Sequence, residues 1–349
     1  MCTDPFRLRL RQKRYVVMLS IFLIVLIALF FDYTNGRHDS ALITGPVIST
    51  GTLSPRIATI FAALCTFSAC LIFGLHVSNT LGHGLVNPQA VTPLTIAVTL
   101  LAAAIWNLLA QKTGVPTSSS HALIGALVGA VTFSAGPSNV IMSGLTPVMT
   151  AIVVAPLLGF IGGIILTAVC AKLLKNAASP RLNNLFRPLQ ILSCGLLALA
   201  HGGNDAQKTM GIITLTLASA HYLPSGQTPL WVILSCQSAI TIGTMAPQSG
   251  KMFRAVSQGI TRIRPWQGAS AQGAAGLVLS LATLLGIPVS STHVQTGALA
   301  GVGAIQSVGR VRWGTITRMA ASWIITLPAA ALMSGAIMTL TSALSTLFH

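Results

Sequence analysis

Two short polar islands lie inside long apolar runs of this 349-residue chain, and they hold three of its four acidic residues. The first reads Phe31-Asp32-Tyr33-Thr34-Asn35-Gly36-Arg37-His38-Asp39. The second reads Ala200-His201-Gly202-Gly203-Asn204-Asp205-Ala206-Gln207-Lys208-Thr209-Met210-Gly211. Carboxylates, amides and an ammonium at these spacings can hold a cation, pass a proton or balance an anion. At membrane depth such groups are costly and mark ion or substrate paths. A structural alternative exists for each: Asp205 could simply pair with Lys208, one helical turn away.

A second pair of motifs carries hydroxyls. Gly114-Val115-Pro116-Thr117-Ser118-Ser119-Ser120-His121 answers Gly286-Ile287-Pro288-Val289-Ser290-Ser291-Thr292-His293, and over sixteen positions from Gly114 and Gly286 nine are identical. Gly-x-Pro ends an incoming helix. Proline then suits the first turn of the next, and the Ser/Thr run supplies caps and hydroxyls there. The free N–H groups of two such turns, facing one another, would suit a tetrahedral oxyanion. The blander alternative is that the serines only satisfy backbone groups at a kink; two copies with the same His placement weigh against it. Carboxylates near an anion repel it by about 4 kcal/mol at 4 Å and an effective dielectric of 20. A co-bound cation or proton removes that repulsion, so the two motif types together imply cation-coupled anion symport.

The elements that must position these residues follow from composition. Hydrophobic residues make up 53% and charged residues only 7%, against roughly 25% charged in soluble domains. Apolar stretches cover 15–31, 56–76, 92–110, 120–134, 145–171, 189–200, 209–222, 229–246, 270–287, 293–307 and 319–347. At about 20 residues per crossing the expectation is an all-α polytopic membrane protein of about ten membrane segments, some interrupted or re-entrant. Asp39 precedes His121 by 82 positions and Asp205 precedes His293 by 88. Two halves are therefore expected: residues 15–171 and 188–349, after a basic tail at 1–14 and joined by a short basic loop at 172–187. Duplicated halves with matching interruptions mark a secondary transporter.

The net charge of +16 does not indicate a nucleic-acid partner. The cations cluster between apolar runs, at Arg7, Arg9, Arg11, Lys13 and Arg14, at Lys172, Lys175, Arg181 and Arg187, and at Lys251, Arg254, Arg262 and Arg264. Cytoplasmic loops carry such clusters. The first two clusters both claim the cytoplasm, and the side of the N-terminus is left open. The basic start and the run 15–31 read as a retained first helix, since no small-residue cleavage site follows. The six cysteines show neither metal-ligand nor disulfide spacing. An intramembrane Ser-His hydrolase is disfavoured, because neighbouring residues on a helix point about 100° apart and a duplicated nucleophile has no purpose. A scaffold would not need paired polar islands in lipid.

His-Gly-x-Asn-Asp-x-Gln-Lys in the second half, Phe-Asp-x-x-Asn-Gly-x-His-Asp in the first, and the paired Pro-x-Ser-Ser-[Ser/Thr]-His turns resemble the inorganic phosphate transporter (PiT) family over nearly the whole chain. The resemblance implies a helical carrier of two inverted repeats in a bacterial inner membrane, importing inorganic phosphate with protons or sodium, or as a neutral divalent-metal complex. It implies a substrate set of Ser118, Ser119, Ser120, Ser290, Ser291, Thr292, Asn204, Gln207 and Lys208, and a cation or proton set of Asp32, Asn35, Asp39 and Asp205. No cofactor, no resident metal site and no catalytic residue is expected; partners are phosphate and lipid, with a homo-oligomer left open. The chain departs from the family pattern at Arg37, where an aromatic is usual, at Leu42, where an Asn is usual, and at Pro46, where a Thr is common. Leucine cannot ligate a cation, so proton coupling is expected over sodium. Arg37 is a candidate for a fixed positive charge, and sulfate is the alternative substrate.

Overall fold

The fold was analysed in a computed structural model that describes residues 5–114, 116–173, 179–220, 222–224, 227–247, 250–257 and 259–347. Residues 1–4 of the expected tail and 174–178 of the expected connecting loop lie outside them. Twelve α-helices occur among the described residues: α1 Pro5–Ser49, α2 Pro55–Ser68, α3 His76–His83, α4 Pro93–Thr113, α5 Ser119–Ala135, α6 Met142–Leu173, α7 Ser179–Ser219, α8 Leu230–Met245, α9 Gly250–Ser257, α10 Pro265–Leu284, α11 Ser291–Ala304 and α12 Trp313–Leu347. No strand forms among these residues; one antiparallel bridge joins Val86 to Val140. The all-α membrane fold expected from composition is thus the fold observed. Among the described residues, five helical stretches are long and apolar enough to cross a bilayer: Val17–Ser49, Pro93–Thr113, Met142–Lys172, Leu185–Ser219 and Trp313–Leu344.

The two polar islands do not interrupt their helices. The apolar run 15–31 continues unbroken through the first island to Ser49. Residues 189–200, and 209–219 of the run 209–222, expected as separate segments, are both part of α7, which ends at Ser219. Backbone hydrogen bonding in a helix is internal, so a polar stretch costs only side-chain desolvation, and paired polar side chains reduce that cost. The Gly-x-Pro turns do break the chain. Gly114 ends α4 at φ 76° and Gly286 follows α10 at φ 70°, left-handed values that favour glycine. The proline falls outside the following helix rather than in its first turn. Ser118 and Ser290 are the N-caps, accepting from His121 N at 3.2 Å and His293 N at 3.4 Å. The helices they open, α5 and α11, have 17 and 14 residues. Both fall short of the roughly 30 Å hydrocarbon core at 1.5 Å per residue.

Helix contacts fall in reciprocal pairs. α5 packs on α12 and α11 on α6; α1 packs on α8 and α7 on α2; α3 packs on α7 and α9 on α1. The α6–α11 contact is close because Gly297 and Gly301 face the Pro156 and Phe160 carbonyls, where a Cβ would come within 2.1 Å of each oxygen. Small residues permit such approach where lipid supplies no hydrophobic drive between helices.

The helix directions separate the basic clusters. The segment just after α1 meets the N-terminal third of α7, where Thr50 and Thr52 donate to Gln190 Oε1 at 2.9 and 2.7 Å. Ile48 and Pro55 share a cavity with Met245 and Phe253, and Lys251 shares another with Thr113, Arg312 and Arg318. Residues 7–14 begin the same 45-residue α1, about 60 Å away along its axis. Residues 7–14 and the cations Lys251, Arg254, Arg312 and Arg318 therefore sit at opposite ends.

Candidate functional site

The site forms where the centres of α1 and α7 meet the first turns of α5 and α11. Each contributor is buried: Asp39, His38, His201, Asp205, Lys208, Ser120, Ser291 and Thr292 are at most 5% exposed. α7 presents His201, Asp205 and Lys208 on one face through i, i+4 and i+3 spacing. The Lys208 ammonium contacts Asp205 Oδ1 directly, donates to Ser120 Oγ at 2.5 Å and donates to the Val289 carbonyl at 2.8 Å. A carboxylate, a hydroxyl and a carbonyl thus surround one ammonium, with its three protons matched by three acceptors.

Ser291 joins the two carboxylates. Its hydroxyl lies 2.7 Å from Asp39 Oδ2 and 3.0 Å from Asp205 Oδ2. One hydroxyl carries one proton, so it donates to only one carboxylate at a time. His201 Nδ1 lies 2.7 Å from Asp205 Oδ2 and 3.7 Å from Asp39 Oδ2, and His38 Nδ1 lies 2.6 Å from Asp39 Oδ1. Thr292 Oγ1 donates to Asp39 Oδ1 at 3.5 Å. Two carboxylates carry −2 and Lys208 returns +1. One further positive charge, a proton or part of a cation, neutralises the cluster. Donor atoms of Asp39, His201 and Asp205 lie within 4.8 Å of one another, close enough for one metal ion to meet all three.

The expected residues divide. Ser120, Ser291, Thr292, Asp39, Asp205 and Lys208 come together. Ser118 and Ser290 serve as helix caps, and Ser119 is buried beside them. Gln207 turns away: its Oε1 accepts from Val77 N at 2.9 Å and Ser78 N at 3.3 Å, and its Nε2 donates to the Gly74 carbonyl at 2.6 Å. It pins α3 to α7. Asn204 Nδ2 donates to Thr283 Oγ1 at 3.0 Å and to the Ile287 carbonyl at 3.3 Å, while its Oδ1 has no partner. Asp32 accepts from Thr209 at 2.5 Å and its second oxygen is unpartnered, as is Asn35 Oδ1. These unpartnered oxygens are acceptors that a ligand, ion or water can satisfy.

Arg37 supplies no charge to the cluster. Its Nε donates to the Pro247 carbonyl at 3.1 Å near the surface, because two helical steps from Asp39 turn it about 200° away. Leu42 packs in an apolar cluster with Ile43, Cys194 and Leu197. Sequence reasoning omitted His38 and His201 from the site, though both stand in the quoted islands; His201 four residues before Asp205 was the available signal. It also omitted Thr209 and the Val289 carbonyl, for which sequence holds no signal. The repeated His121 and His293 meet with ring centroids 4.8 Å apart and planes tilted by 58°, and the His293 ring centroid lies 4.0 Å from that of Trp323. They form a contact between the two serine-rich turns.

Comparisons with known proteins bear on this arrangement. The family model "Phosphate transporter family" matches residues 35–334. A protein of Rhizobium meliloti (strain 1021) described as a probable low-affinity inorganic phosphate transporter is 44% identical over 312 residues, covering 89% of this chain and 93% of that one. A protein of the same description from Bacillus subtilis (strain 168) is 37% identical over 319 residues, covering 90% and 95%. A solved structure titled "The sodium-dependent phosphate transporter" superposes with a TM-score of 0.83 at 21% identity, over 93% of this chain and 99% of that one. That likeness concerns the fold.

Proposed function

The chain belongs to the phosphate transporter family, and from that premise we propose that it imports inorganic phosphate by proton-coupled symport across a bacterial inner membrane. It is a multi-pass membrane protein whose buried central cluster is the transport site. Two halves of inverted topology would alternate around it, a reading that the reciprocal helix packing supports.

The observation that carries proton coupling is the contrast between two carboxylates. Asp205 already has a tethered cation in Lys208, held in the shell of oxygens that a monovalent ion would use. Asp39 has only imidazoles and hydroxyls, and Leu42, three residues on, offers no ligand. A proton on the Asp39–His38–His201 group neutralises the cluster and admits an anion beside Ser120, Ser291 and Thr292. Their hydroxyls, freed from carboxylates and ammonium, would turn to the phosphate oxygens. Losing the proton on the far side restores the negative charge and expels the anion.

The deciding experiment is uptake of labelled phosphate into proteoliposomes. A pH gradient without sodium should drive accumulation, and a sodium gradient at uniform pH should not. Accumulation under the sodium gradient alone would overturn proton coupling while leaving phosphate as substrate. Sulfate uptake that phosphate fails to inhibit would overturn the substrate.

A second reading rests on the Asp39–His201–Asp205 donor set. Imidazole with two carboxylates suits a divalent transition metal, so the cargo could be a neutral metal–phosphate complex, the metal on these donors and the phosphate on Lys208 and the hydroxyls. Co-uptake of labelled manganese or zinc with phosphate at 1:1, abolished by chelation, distinguishes it.

A further inference from the structure

Three of the four acidic residues are buried at the centre, and the fourth is Asp4. All ion-pair contacts among the described residues lie in the central cluster. The cations at the basic end therefore have no carboxylate partners among the described residues, and four of them, Lys251, Arg254, Arg312 and Arg318, line one cavity of about 450 Å³. We propose that this cavity is a second anion site that takes a phosphate group.

Several observations define the site. The volume falls in the range of ligand pockets, about 300–1,000 Å³, and exceeds what a single orthophosphate fills. α9 supplies Lys251 and Arg254; the segment into α12 supplies Arg312 and Arg318. Guanidinium forks match phosphate oxygens in pairs. Four uncompensated cations around one concavity also concentrate anions there. One wall is fixed: Lys251 packs against Gly114, where a Cβ would come within 2.7 Å of the lysine Cβ, and its ammonium reaches the Lys112 carbonyl at 3.5 Å. Ser322 of α12 donates to the Pro116 carbonyl at 3.4 Å. The cavity thus adjoins the turn that leads into Ser118–Ser120, and an anion in it would tie α9 and α12 to that turn.

The other turn adjoins a cavity of similar volume, about 450 Å³, at Ile287 and Val289, but that cavity's lining carries no Lys or Arg. Gly286 packs on α3, with Thr80 Oγ1 donating to its carbonyl at 2.8 Å and the His76 carbonyl nearby. α3 stands where α9 stands in the reciprocal packing but carries no Lys or Arg. The charge therefore belongs to one mouth of the molecule and not to the repeat.

A phosphate group could come from the headgroup of an anionic phospholipid or from inorganic phosphate in solution. The test uses purified full-length protein in nanodiscs. Wild type, R254Q/R318Q and K251Q/R312Q are compared with R56Q/R262Q, which removes two exposed cations outside the cavity. Phosphatidylglycerol retained in native mass spectrometry, and lost roughly tenfold or more in both cavity variants but not in R56Q/R262Q, supports a lipid source. In phosphatidylcholine discs, equilibrium dialysis that counts two phosphates per chain in wild type and one in the cavity variants supports a free-phosphate source. Melting temperature confirms that each variant is folded, and two independent cavity variants guard against loss of one. Unchanged lipid retention and unchanged phosphate stoichiometry in the cavity variants would overturn the proposal, as would an equal loss in R56Q/R262Q.

Discussion

Lys208 and Asp205 stand one helical turn apart on α7 with their charged groups in direct contact, in a part of the molecule with almost no solvent access. Neither could stay charged there alone, and the remaining two protons of the ammonium are taken by Ser120 and Val289. This pair reduces the charge of the central cluster before any ion or substrate arrives.

Breaking it should be costly. Removing one member of a buried pair costs about 3–5 kcal/mol, so Lys208→Met should lower the melting temperature sharply and abolish transport. The double variant D205N/K208M should recover much of the stability and none of the transport. In Lys208→Gln, the vacated oxygen shell would accept a free ion, so residual uptake should depend on added sodium or ammonium. Equal uptake in sodium and in choline buffers would remove the tethered-cation role.

The serine triplets should separate by position. The Ser291 hydroxyl, which bridges two carboxylates in this structure, would turn to a phosphate oxygen in the proposed transport site. Losing that bond to a charged group costs about 1.5–3 kcal/mol, roughly ten- to a hundredfold in apparent affinity. Ser290 caps α11, and losing a cap costs about 1 kcal/mol of stability. Ser291→Ala should therefore raise KM at near-normal melting temperature. Ser290→Ala should lower the melting temperature with a smaller change in KM.

Asp39 should be the proton-linked carboxylate. Asp39→Asn keeps the shape but fixes the charge, so it should lose accumulation driven by a pH gradient while retaining exchange of labelled for unlabelled phosphate. If Asp39→Asn still concentrates phosphate against its gradient, the proton is carried elsewhere, with Asp32 the next candidate.

The α1–α8 contact offers a test of packing. A Cβ at Gly36 would lie 2.1 Å from the Ile240 carbonyl oxygen, and one at Gly243 would lie 2.2 Å from that of Tyr33. Gly36→Ala should part these helices and reduce both yield and melting temperature by an overpacking cost of about 1–3 kcal/mol. Gly314→Ala on α12 meets nothing within 4 Å and should leave both unchanged.

Orientation follows from the separation of the basic clusters. With most cations at the end that holds Lys251, Arg254, Arg312 and Arg318, that end should face the cytoplasm. In a cysteine-free background, an impermeant maleimide applied to intact cells should label Ser138→Cys and not Arg262→Cys. The opposite pattern would reverse the orientation.

Composition alone established a helical membrane protein, because so much apolar sequence has no other place to be buried. The repeated Gly-x-Pro turns were legible for a similar reason: glycine at positive φ and a capping serine are local requirements, and local requirements are written in adjacent residues. The pairing of Asp205 with Lys208 was legible as an alternative, since helix periodicity sets it. What sequence could not decide was which side chains share a centre. Ser291 lies 252 positions from Asp39, and Val289 lies 81 from Lys208; only the packing of α1 and α7 against α5 and α11 joins them. The same packing removed Gln207 to α3 and Arg37 to the surface, although both stand in the islands beside residues that do belong to the site. A helix turns each successive residue by about 100°, so neighbours in a motif need not be neighbours in the site, and which face turns inward depends on what each helix packs against.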